Sequence, residues 1–347
     1  MQNVLIFRQD HLGDLVLTTP LIRTLAESGF IVDVLARKNH LPVLENNPYI
    51  NHCFGIEDIQ QEFPKKYFAI VKWIRSKKYD LLVVPFAKPK QMGYVATVSG
   101  AKKKLLMTAG IWGRIGGNTC LRSNLLIKER HIIDVWLDFA RYLRIEKLYT
   151  QPQIFITENE LIEADKLINN AFGNDNKVIG VHPGGMGNTC NFPFSEYAVF
   201  VSRMLNETNY NIIITGNKFE LDSILKWDKS IIQSPRVWVS AGHLNLRQLS
   251  AVIKKMDTFI SSGTGPLHIS NAVGSATFSP FCSRIGHTDK YWGNTNGNGG
   301  AMIVTSKMCE HYKKGNCKFE ESCDANIFFE QWFFFNNRNL AITTSAL

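Results

Sequence analysis

Short, continuous apolar runs alternate with polar stretches of helical periodicity along the first half of the chain. The runs at Val4–Phe7, Ile31–Leu35 and Leu81–Pro85 predict strands that are buried on both faces. Pro20–Glu27 and Tyr67–Lys77 place apolar residues at helical spacing, which predicts amphipathic helices. This alternation of strands and helices predicts a parallel, doubly wound sheet.

The second half repeats the pattern after a long amphipathic helix that we predict at Arg130–Arg144. The strands predicted here are Val178–Val181, Asn211–Thr215, Val237–Val239 and Thr258–Ile260. The predicted helices are Leu161–Phe172, Glu196–Leu205 with Ser195 as its N-cap, and Leu246–Lys255 after Asn245. Several of these strands exit into polar loops that contain glycine, as ligand-binding loops of such sheets do.

At 347 residues the chain is too long for one small core, so two domains are expected. We place the first at 1–152 and the second at 153–325, because a new unit starts after Pro152. In the tail, 326–347, the apolar run Ile327–Phe335 predicts a helix that packs back toward the N-terminal domain, and membrane docking is the alternative. The inferred fold class is α/β, with two doubly wound domains facing a central cleft.

Composition favours a soluble, cytoplasmic protein. The chain is 45% hydrophobic, and its mean hydropathy is −0.10. No apolar run reaches the length of about 18 residues that a transmembrane helix needs. Val4–Phe7 is too short for the core of a signal peptide and Arg8 follows at once. Seven scattered cysteines do not form a disulfide framework, which favours a reducing compartment.

The net charge of +9 lies entirely in the first 150 residues, where 22 Lys and Arg face 13 Asp and Glu. The bias is strongest over Lys65–Lys104, where 11 bases accompany one acid, Asp80. A basic surface of this kind favours an anionic partner, such as a phosphorylated lipid head group or a membrane surface, and solubility alone is the alternative. The chain contains no recognisable nucleic-acid module, so no nucleic-acid partner is expected.

Metal and cofactor chemistry is not indicated. The chain has no Asp-x-Asp motif that would hold a divalent metal on a diphosphate, and we expect no bound cofactor. Four tail residues could close a tetrahedral zinc site, but their spacing matches no common knuckle, so zinc is kept only as the alternative. These residues are Cys309, His311, Cys317 and Cys323.

The segment "RQDHLGDLVLTTP" joins the first predicted strand to the first helix and carries the candidate acceptor-binding residues. Arg8 either orients a phosphate or an acidic sugar, or forms an ion pair with Asp10 or Asp14. Asp10 either lines the site or acts as a helix cap or salt-bridge partner. His11 is a further candidate whose alternative is a plain loop residue, and Gly13 lets the chain approach a ligand closely.

Two glycine-rich strand exits in the second half are candidate phosphate loops. After Thr258–Ile260, Gly263 and Gly265 let the backbone approach an anion, and Thr264 offers a hydroxyl at the start of a helix. The second exit, "HPGGMGN", contributes Gly184 and Gly185. An ordinary turn is the alternative for each, but together the two loops predict the walls of one anion site.

Four segments in this order resemble glycosyltransferase family 9, the heptosyltransferases of lipopolysaccharide core assembly. They are "RQDHLGDLVLTTP", "HPGGMGNTCNFP", "ITGNKFE" and "LNLRQLSAVIKKMDTFISSGTGPLHISNAVG", and the resemblance spans roughly residues 1–285. It implies an enzyme with the GT-B fold of two Rossmann-like domains, acceptor on the first and nucleotide-sugar on the second. It further implies inverting transfer, typically from ADP-heptose, that is metal-independent or not strictly metal-dependent.

The resemblance also assigns roles to single residues. Asp14 matches the catalytic base, and Thr264 with Gly265 matches the turn that binds the diphosphate. Glu220 matches a ribose-binding carboxylate, for which the alternative is a solvated charge at a helix start. His268 matches a motif histidine without an assigned role. On the same donor side we place Thr215 and Gly216, which end the strand of "ITGNKFE".

Two departures from the family pattern keep alternatives open. Ser262–Gly265 lacks the aspartate that the family often carries in this motif, and Cys190-Asn191 replaces a cation that often precedes the Trp-Pro pair. A different donor sugar, or a non-catalytic protein that binds a nucleotide or a glycan, is therefore the alternative function. The partners we expect are a nucleotide-sugar and a phosphorylated or acidic glycolipid, with peripheral contact at the cytoplasmic face of the inner membrane.

Overall fold

The computed structural model describes most of the chain as two compact units, Met1–Phe155 and Ile156–Leu347. The described residues are 1–57, 65–85, 89–107, 119–121, 130–173, 177–185, 191–283, 287–304 and 325–344, with the backbone alone for 65–67, 89–92 and 337–344. The division falls close to the predicted boundary after residue 152. None of the described helices is both long and apolar enough to cross a membrane.

The first unit is built on a parallel six-stranded sheet in the order β3-β2-β1-β4-β5-β6. Its strands are β1 (Gln2–Arg8), β2 (Phe30–Arg37), β3 (His52–Ile56), β4 (Leu81–Val84), β5 (Lys103–Met107) and β6 (Thr119–Leu121). The central strands β1 and β4 are buried almost throughout, as their continuous apolar sequences predict.

Helices and a 3₁₀ segment lie between these strands and after β6. They are α1 (Leu12–Val16), α2 (Thr19–Glu27), the 3₁₀ helix Lys38–Leu44, α3 (Lys65–Lys77), α4 (Pro89–Val98), α5 (Ile132–Trp136) and α6 (Asp138–Tyr142). The single long helix predicted at Arg130–Arg144 is therefore wrong. Leu137, with a ψ of −10°, separates two one-turn helices, and Arg144 ends the segment in the left-handed region with a φ of 62°.

The second unit repeats the design with a parallel six-stranded sheet in the order β12-β11-β10-β7-β8-β9. Its strands are β7 (Val178–His182), β8 (Asn211–Ile214), β9 (Val237–Val239), β10 (Thr258–Ser261), β11 (Thr277–Cys282) and β12 (Gly299–Val304). Its helices are α7 (Glu158–Phe172), α8 (Phe194–Glu207), α9 (Lys218–Ile224), α10 (Lys229–Ile232), α11 (Leu246–Lys254), α12 (Gly265–Val273), α13 (Asp289–Trp292) and α14 (Ala325–Thr344).

The start of α8 differs from the sequence prediction. Its N-cap is Pro193, not Ser195, and the Pro193 carbonyl accepts the N–H groups of Glu196 and Tyr197. Pro193 has extended backbone angles, with φ −56° and ψ 154°, so it can precede a helix without losing a hydrogen bond of its own. Ser195 consequently lies inside the first turn.

The tail helix α14 is part of the core of the second unit. Phe328, Phe329 and Trp332 are at most 1% exposed and pack against Phe200 of α8. The side chains described as far as Asn336 therefore join the tail to the second unit, and its packing toward the N-terminal domain stays a prediction. The aromatic face of the helix fills an aromatic cluster between α8 and the sheet.

Candidate active-site loops

The candidate acceptor loop follows β1, at the point where the strand order of the first sheet reverses. From β1 the chain continues to β2 and β3 on one side, whereas β4, β5 and β6 lie on the other. Ligands of doubly wound sheets bind beside the carboxyl end of the strand at such a reversal. The loop between Arg8 and Asp14 occupies this position in the first unit.

The side chains of Arg8 and Asp14 form an ion pair at this strand end. Arg8 Nη2 donates to Asp14 Oδ1 over 2.8 Å, and the Arg8 side chain is completely buried whereas 18% of the Asp14 side chain is exposed. Of the two roles open for Arg8 in the sequence, the structure therefore shows the ion pair. Asp14 lies in the first turn of α1, where a carboxylate is favoured by the helix dipole.

Asp10 faces the same guanidinium from a longer distance. Its Oδ2 lies 3.7 Å from Arg8 Nη2, and neither of its carboxyl oxygens has a hydrogen-bond partner among the described residues. Burial raises the pKa of this carboxyl, and the charge of Asp14 acts in the same direction. Asp10 does not cap α1. The N-cap is His11, which is exposed and makes no side-chain cap, and Gly13 is buried in the helix.

The candidate donor loops of the second unit leave neighbouring strands. The sheet order reverses between β7 and β10, which pair in parallel with Ser261 opposite His182. Ser262 Oγ donates to the Gly184 carbonyl over 3.5 Å. A Cβ added at Gly185 would lie 3.7 Å from Thr264 Cγ2. The structure thus brings the two predicted glycine loops side by side.

Thr264 starts α12 without using its side chain as a cap. It is the N-cap, with extended φ −109° and ψ 179°, and its hydroxyl lies 3.2 Å from that of Ser261. Pro266 has no N–H to satisfy, so the amides of Gly265 and Leu267 lead the helix. A helix of nine residues that begins at a strand exit in this way is suited to binding an anion.

Glu220 lies against the first of these loops. Its Oε2 accepts the backbone N–H of Asn217, while Asn217 Oδ1 accepts the N–H of Glu220, a capping box at the start of α9. A Cβ added at Gly184 would overlap the Glu220 carboxylate, and one at Gly216 would come within 3.3 Å of Glu220 Oε2. Glu220 is therefore both a helix-start charge and a neighbour of the candidate donor loop.

Two further residues predicted on the donor side are buried. The Thr215 hydroxyl is 3.0 Å from His182 Nδ1, and burial lowers the pKa of that histidine. His268 is 3% exposed, and its ring packs 6.0 Å from that of Trp292. Burial leaves little of either side chain open to a ligand. The four tail residues of the zinc alternative, Cys309, His311, Cys317 and Cys323, lie outside the described residues.

A family model described as glycosyltransferase family 9 (heptosyltransferase) matches residues 118–319, more than half of the chain. The chain belongs to glycosyltransferase family 9. This confirms the resemblance noted in the sequence, and the protein is a glycosyltransferase.

The glycosyltransferase is similar to named proteins of two bacteria. It is 25% identical to a putative glycosyltransferase of Haemophilus influenzae, over 78% of this chain and 80% of that protein. It is 22% identical to lipopolysaccharide heptosyltransferase 3 of Escherichia coli, over 81% of this chain and 82% of that protein.

Solved structures share the whole fold with the glycosyltransferase. A family 9 glycosyl transferase from Veillonella parvula gives a TM-score of 0.78 at 16% identity, covering 97% of both chains. E. coli ADP-heptose lps heptosyltransferase II gives 0.77 at 16% identity, over 97% of this chain and 99% of that chain. The inferred fold class, two Rossmann-like α/β domains of the GT-B type, is confirmed.

Two residues that contact the candidate loops of the glycosyltransferase were not predicted from the sequence. Asn191 Nδ2 donates to the carbonyls of Pro183 and Gly184 over 3.0 and 3.3 Å, and its Oδ1 accepts the Tyr197 hydroxyl. In the sequence, Asn191 was noted only because the family often has a cation where this chain has Cys190-Asn191. Trp136 of α5 lies with its ring 4.5 Å from the guanidinium carbon of Arg8, a contact that no local pattern indicates.

Proposed function

We propose that this glycosyltransferase moves a sugar, with inversion, from a nucleotide-sugar to a hydroxyl of an anionic glycan acceptor, with Asp14 as the general base. The observation that carries this proposal is the Asp14 carboxylate. It is partly exposed at the reversal point of the first sheet and is held at 2.8 Å by the buried Arg8. A general base must be accessible to its substrate and held in one orientation, and this carboxylate meets both conditions.

The proposed reaction balances without a metal or a cofactor. Asp14 takes the proton of the acceptor hydroxyl as its oxygen bonds to the anomeric carbon. The bond from that carbon to the diphosphate breaks, and its electron pair leaves with the diphosphate. The anomeric carbon becomes oxocarbenium-like on the way. The backbone N–H groups that start α12 after Thr264 would stabilise the charge of the leaving group.

We propose ADP-heptose as the donor. The support is the family together with the printed names of similar structures, E. coli ADP-heptose lps heptosyltransferase II and E. coli heptosyltransferase WaaC with ADP. Glu220 would contact the ribose. Ser262 stands where the family often has an aspartate, so another donor sugar is the alternative within the same activity. The capping role of Glu220 Oε2 leaves its second oxygen beside Gly184 for such a contact.

A lipopolysaccharide-type acceptor at the cytoplasmic face of the inner membrane agrees with the charge of the first unit. Lys72, Arg75 and Lys78 are exposed on and just after α3, and 65% of the Phe68 side chain is exposed beside them. Cations around an exposed aromatic ring suit an anionic lipid surface. We therefore propose peripheral contact of this face, and the related E. coli protein is named a lipopolysaccharide heptosyltransferase.

A nucleotide panel tests the donor assignment. Thermal unfolding is measured with ADP, UDP, GDP and the corresponding nucleotide-sugars. A ligand at 100 times its dissociation constant stabilises the folded protein by about 2.7 kcal/mol, so ADP and ADP-heptose should give the largest shifts. A larger shift with another nucleotide contradicts the proposed donor but leaves the transferase activity in place. If no nucleotide-sugar is consumed with any acceptor, the non-catalytic alternative holds.

Replacement of the base tests the mechanism. Asp14→Asn should lower kcat by about 10²- to 10⁴-fold because proton removal is lost, while ADP binding is unchanged. The control is Glu27→Gln, which removes an exposed carboxylate at the end of α2 in the same unit. Equal turnover of Asp14→Asn and the control would refute the assignment of the base.

Lipid binding is tested with anionic phosphatidylglycerol vesicles in a sedimentation assay. Each cation near the surface contributes about 1 kcal/mol, so the double charge reversal K72E/K78E should lower binding by at least about thirtyfold. Lys226→Glu, on the exposed surface of the second unit, is the control. Equal binding of all three proteins would contradict membrane contact through α3.

A further inference from the structure

Arg8 is a buried cation that faces the solvent-accessible Asp14 from inside the first unit. Its side chain is 0% exposed, and Nη2 lies 2.8 Å from Asp14 Oδ1. A side chain that presents no atom to solvent cannot bind the phosphate of an incoming glycan. The charge of Arg8 can therefore reach an acceptor only through the carboxylate that it holds.

The guanidinium has few other partners. Among the described residues Nε and Nη1 have no hydrogen-bond partner, and Asp10 is in ionic contact at 3.7 Å without a hydrogen bond. An arginine carries five donors, and leaving several of them unused in the interior is unfavourable. Among the described residues, the hydrogen bond that the guanidinium makes is therefore the one to Asp14.

The Trp136 ring is a second contact of the Arg8 guanidinium. The guanidinium carbon is 4.5 Å from the centroid of the Trp136 ring, and this side chain is 2% exposed at the end of α5. A planar guanidinium stacks on an aromatic face, and the contact strengthens when it is removed from water. The ring covers the guanidinium and limits its movement, and the guanidinium in turn holds the Asp14 carboxylate at 2.8 Å.

We propose that Arg8 is a positioning residue for Asp14, with Trp136 as its support, and that neither side chain binds the acceptor. This inference rests on the proposed function, in which Asp14 is the base. Arg8 then contributes to the rate and not to acceptor affinity, because it acts on the group that removes the proton in the transition state.

Steady-state kinetics with acceptor and nucleotide-sugar test the inference on the full chain. Arg8→Gln should lower kcat by about 10- to 100-fold with both KM values within about twofold of the wild type, because only a transition-state interaction is lost. Arg8→Lys keeps the charge without the planar fork and should recover part of that loss. The matched control is Arg23→Gln. Arg23 also stacks on an aromatic ring of the same unit, 3.9 Å from the centroid of Tyr149, and should keep kcat.

Coupling between the two residues separates positioning from a general structural effect. Trp136→Phe keeps an aromatic ring that attracts a cation less strongly than Trp does, and it should lower kcat severalfold. It should have no further effect when combined with Arg8→Gln. Independent, multiplying losses in the double variant would overturn the support role of Trp136. A raised acceptor KM at unchanged kcat in Arg8→Gln would show that Arg8 binds the acceptor and would overturn the inference.

The failure of this inference is distinguishable from failure of the proposed function. If Asp14→Asn turns over like the wild type, the proposed base is wrong whatever Arg8 does. If Asp14→Asn is inactive while Arg8→Gln keeps the full kcat, the base stands and the positioning role alone is overturned. Arg8→Gln should have no effect in the Asp14→Asn background, since its partner is already absent.

Discussion

The ion pair between Glu160 of α7 and Arg247 of α11 gives the second unit a predictable dependence on pH. Arg247 donates two charge-assisted hydrogen bonds to Glu160, from Nε to Oε1 over 2.7 Å and from Nη2 to Oε2 over 2.6 Å. Glu160 also accepts the backbone N–H of Thr157 in the capping box of α7. The Arg247 contacts, followed by those of Thr157, lower the pKa of Glu160 from 4.5 to about 2.

The substitution Glu160→Gln removes the charge and keeps a residue that can complete the capping box. A pKa lowered from 4.5 to about 2 corresponds to about 3 kcal/mol at 1.36 kcal/mol per pKa unit. The carboxylate is 23% exposed, and screening by water reduces this figure toward about 2 kcal/mol. We expect the free energy of unfolding at pH 7 to fall by about 2–3 kcal/mol.

The sign of the pH dependence follows from a pKa that is lower in the folded protein. The stabilisation is fully present above the unfolded pKa of about 4.5 and is lost as the pH falls through the folded pKa of about 2. The difference between wild type and variant should therefore shrink to about half near pH 3.

Urea unfolding followed by tryptophan fluorescence, at several values between about pH 3 and pH 7, measures this difference. The control is Glu163→Gln, one turn along the same helix, where Oε1 lies 3.5 Å from Gln248 Nε2. The control should cost less than about 0.5 kcal/mol at every pH. A cost for Glu160→Gln that does not change with pH, or that equals the cost of the control, would refute the reasoning.

Three further predictions concern the candidate site and the tail. Gly184→Ala should lower the free energy of unfolding by about 1–3 kcal/mol and weaken nucleotide binding, because its Cβ displaces the Glu220 carboxylate, as urea unfolding and calorimetric titration with ADP would show. Asp10→Asn should raise the melting temperature at pH 7 but not near pH 4, since burial raises the pKa of Asp10 and disfavours its charged form in the folded state. Trp332→Ala should cost about 3–5 kcal/mol by urea unfolding, because it opens a cavity under α14, whereas Phe334→Ala, at a side chain 59% exposed, should cost less than about 0.5 kcal/mol.

Local patterns in the sequence predicted the strands β1, β2, β4, β7, β8, β9 and β10 and the positions of the candidate loops. They did not predict β3, β5, β6, β11 or β12. Continuous apolar runs such as Val4–Phe7 predict buried parallel strands because both faces of the sheet are covered by helices. Loops that follow strands at an order reversal become candidate sites from the topology alone. Glycines on either side of Thr264, together with Gly184 and Gly185, indicated the second of these sites, and a Cβ at Gly184 would overlap the Glu220 carboxylate.

The fine structure of helices was less predictable. The Arg130–Arg144 segment has a helical pattern throughout, but the chain turns at Leu137 and forms two short helices. Apolar periodicity reports which residues face the core and does not report whether the hydrogen-bond ladder is continuous. For the same reason Ser195, a good cap by residue type, lies behind a helix start that Pro193 sets.

The fold class, the family and the two strand-end loops follow from the amino-acid sequence, because each depends on residues close together in the chain. Which groups meet at those loops follows from the folded chain. Arg8 meets Trp136, Asn191 holds the Gly184 loop, and α14 fills the core of the second unit. The contacts of Trp136 and of α14 join residues far apart in the chain, whereas that of Asn191 closes a single loop. Their energies depend on burial and orientation that packing alone creates. The proposal for Asp14 needs both kinds of information. The sequence motif indicates the residue, and the structure shows that the buried Arg8, at the end of the preceding strand, holds its carboxylate.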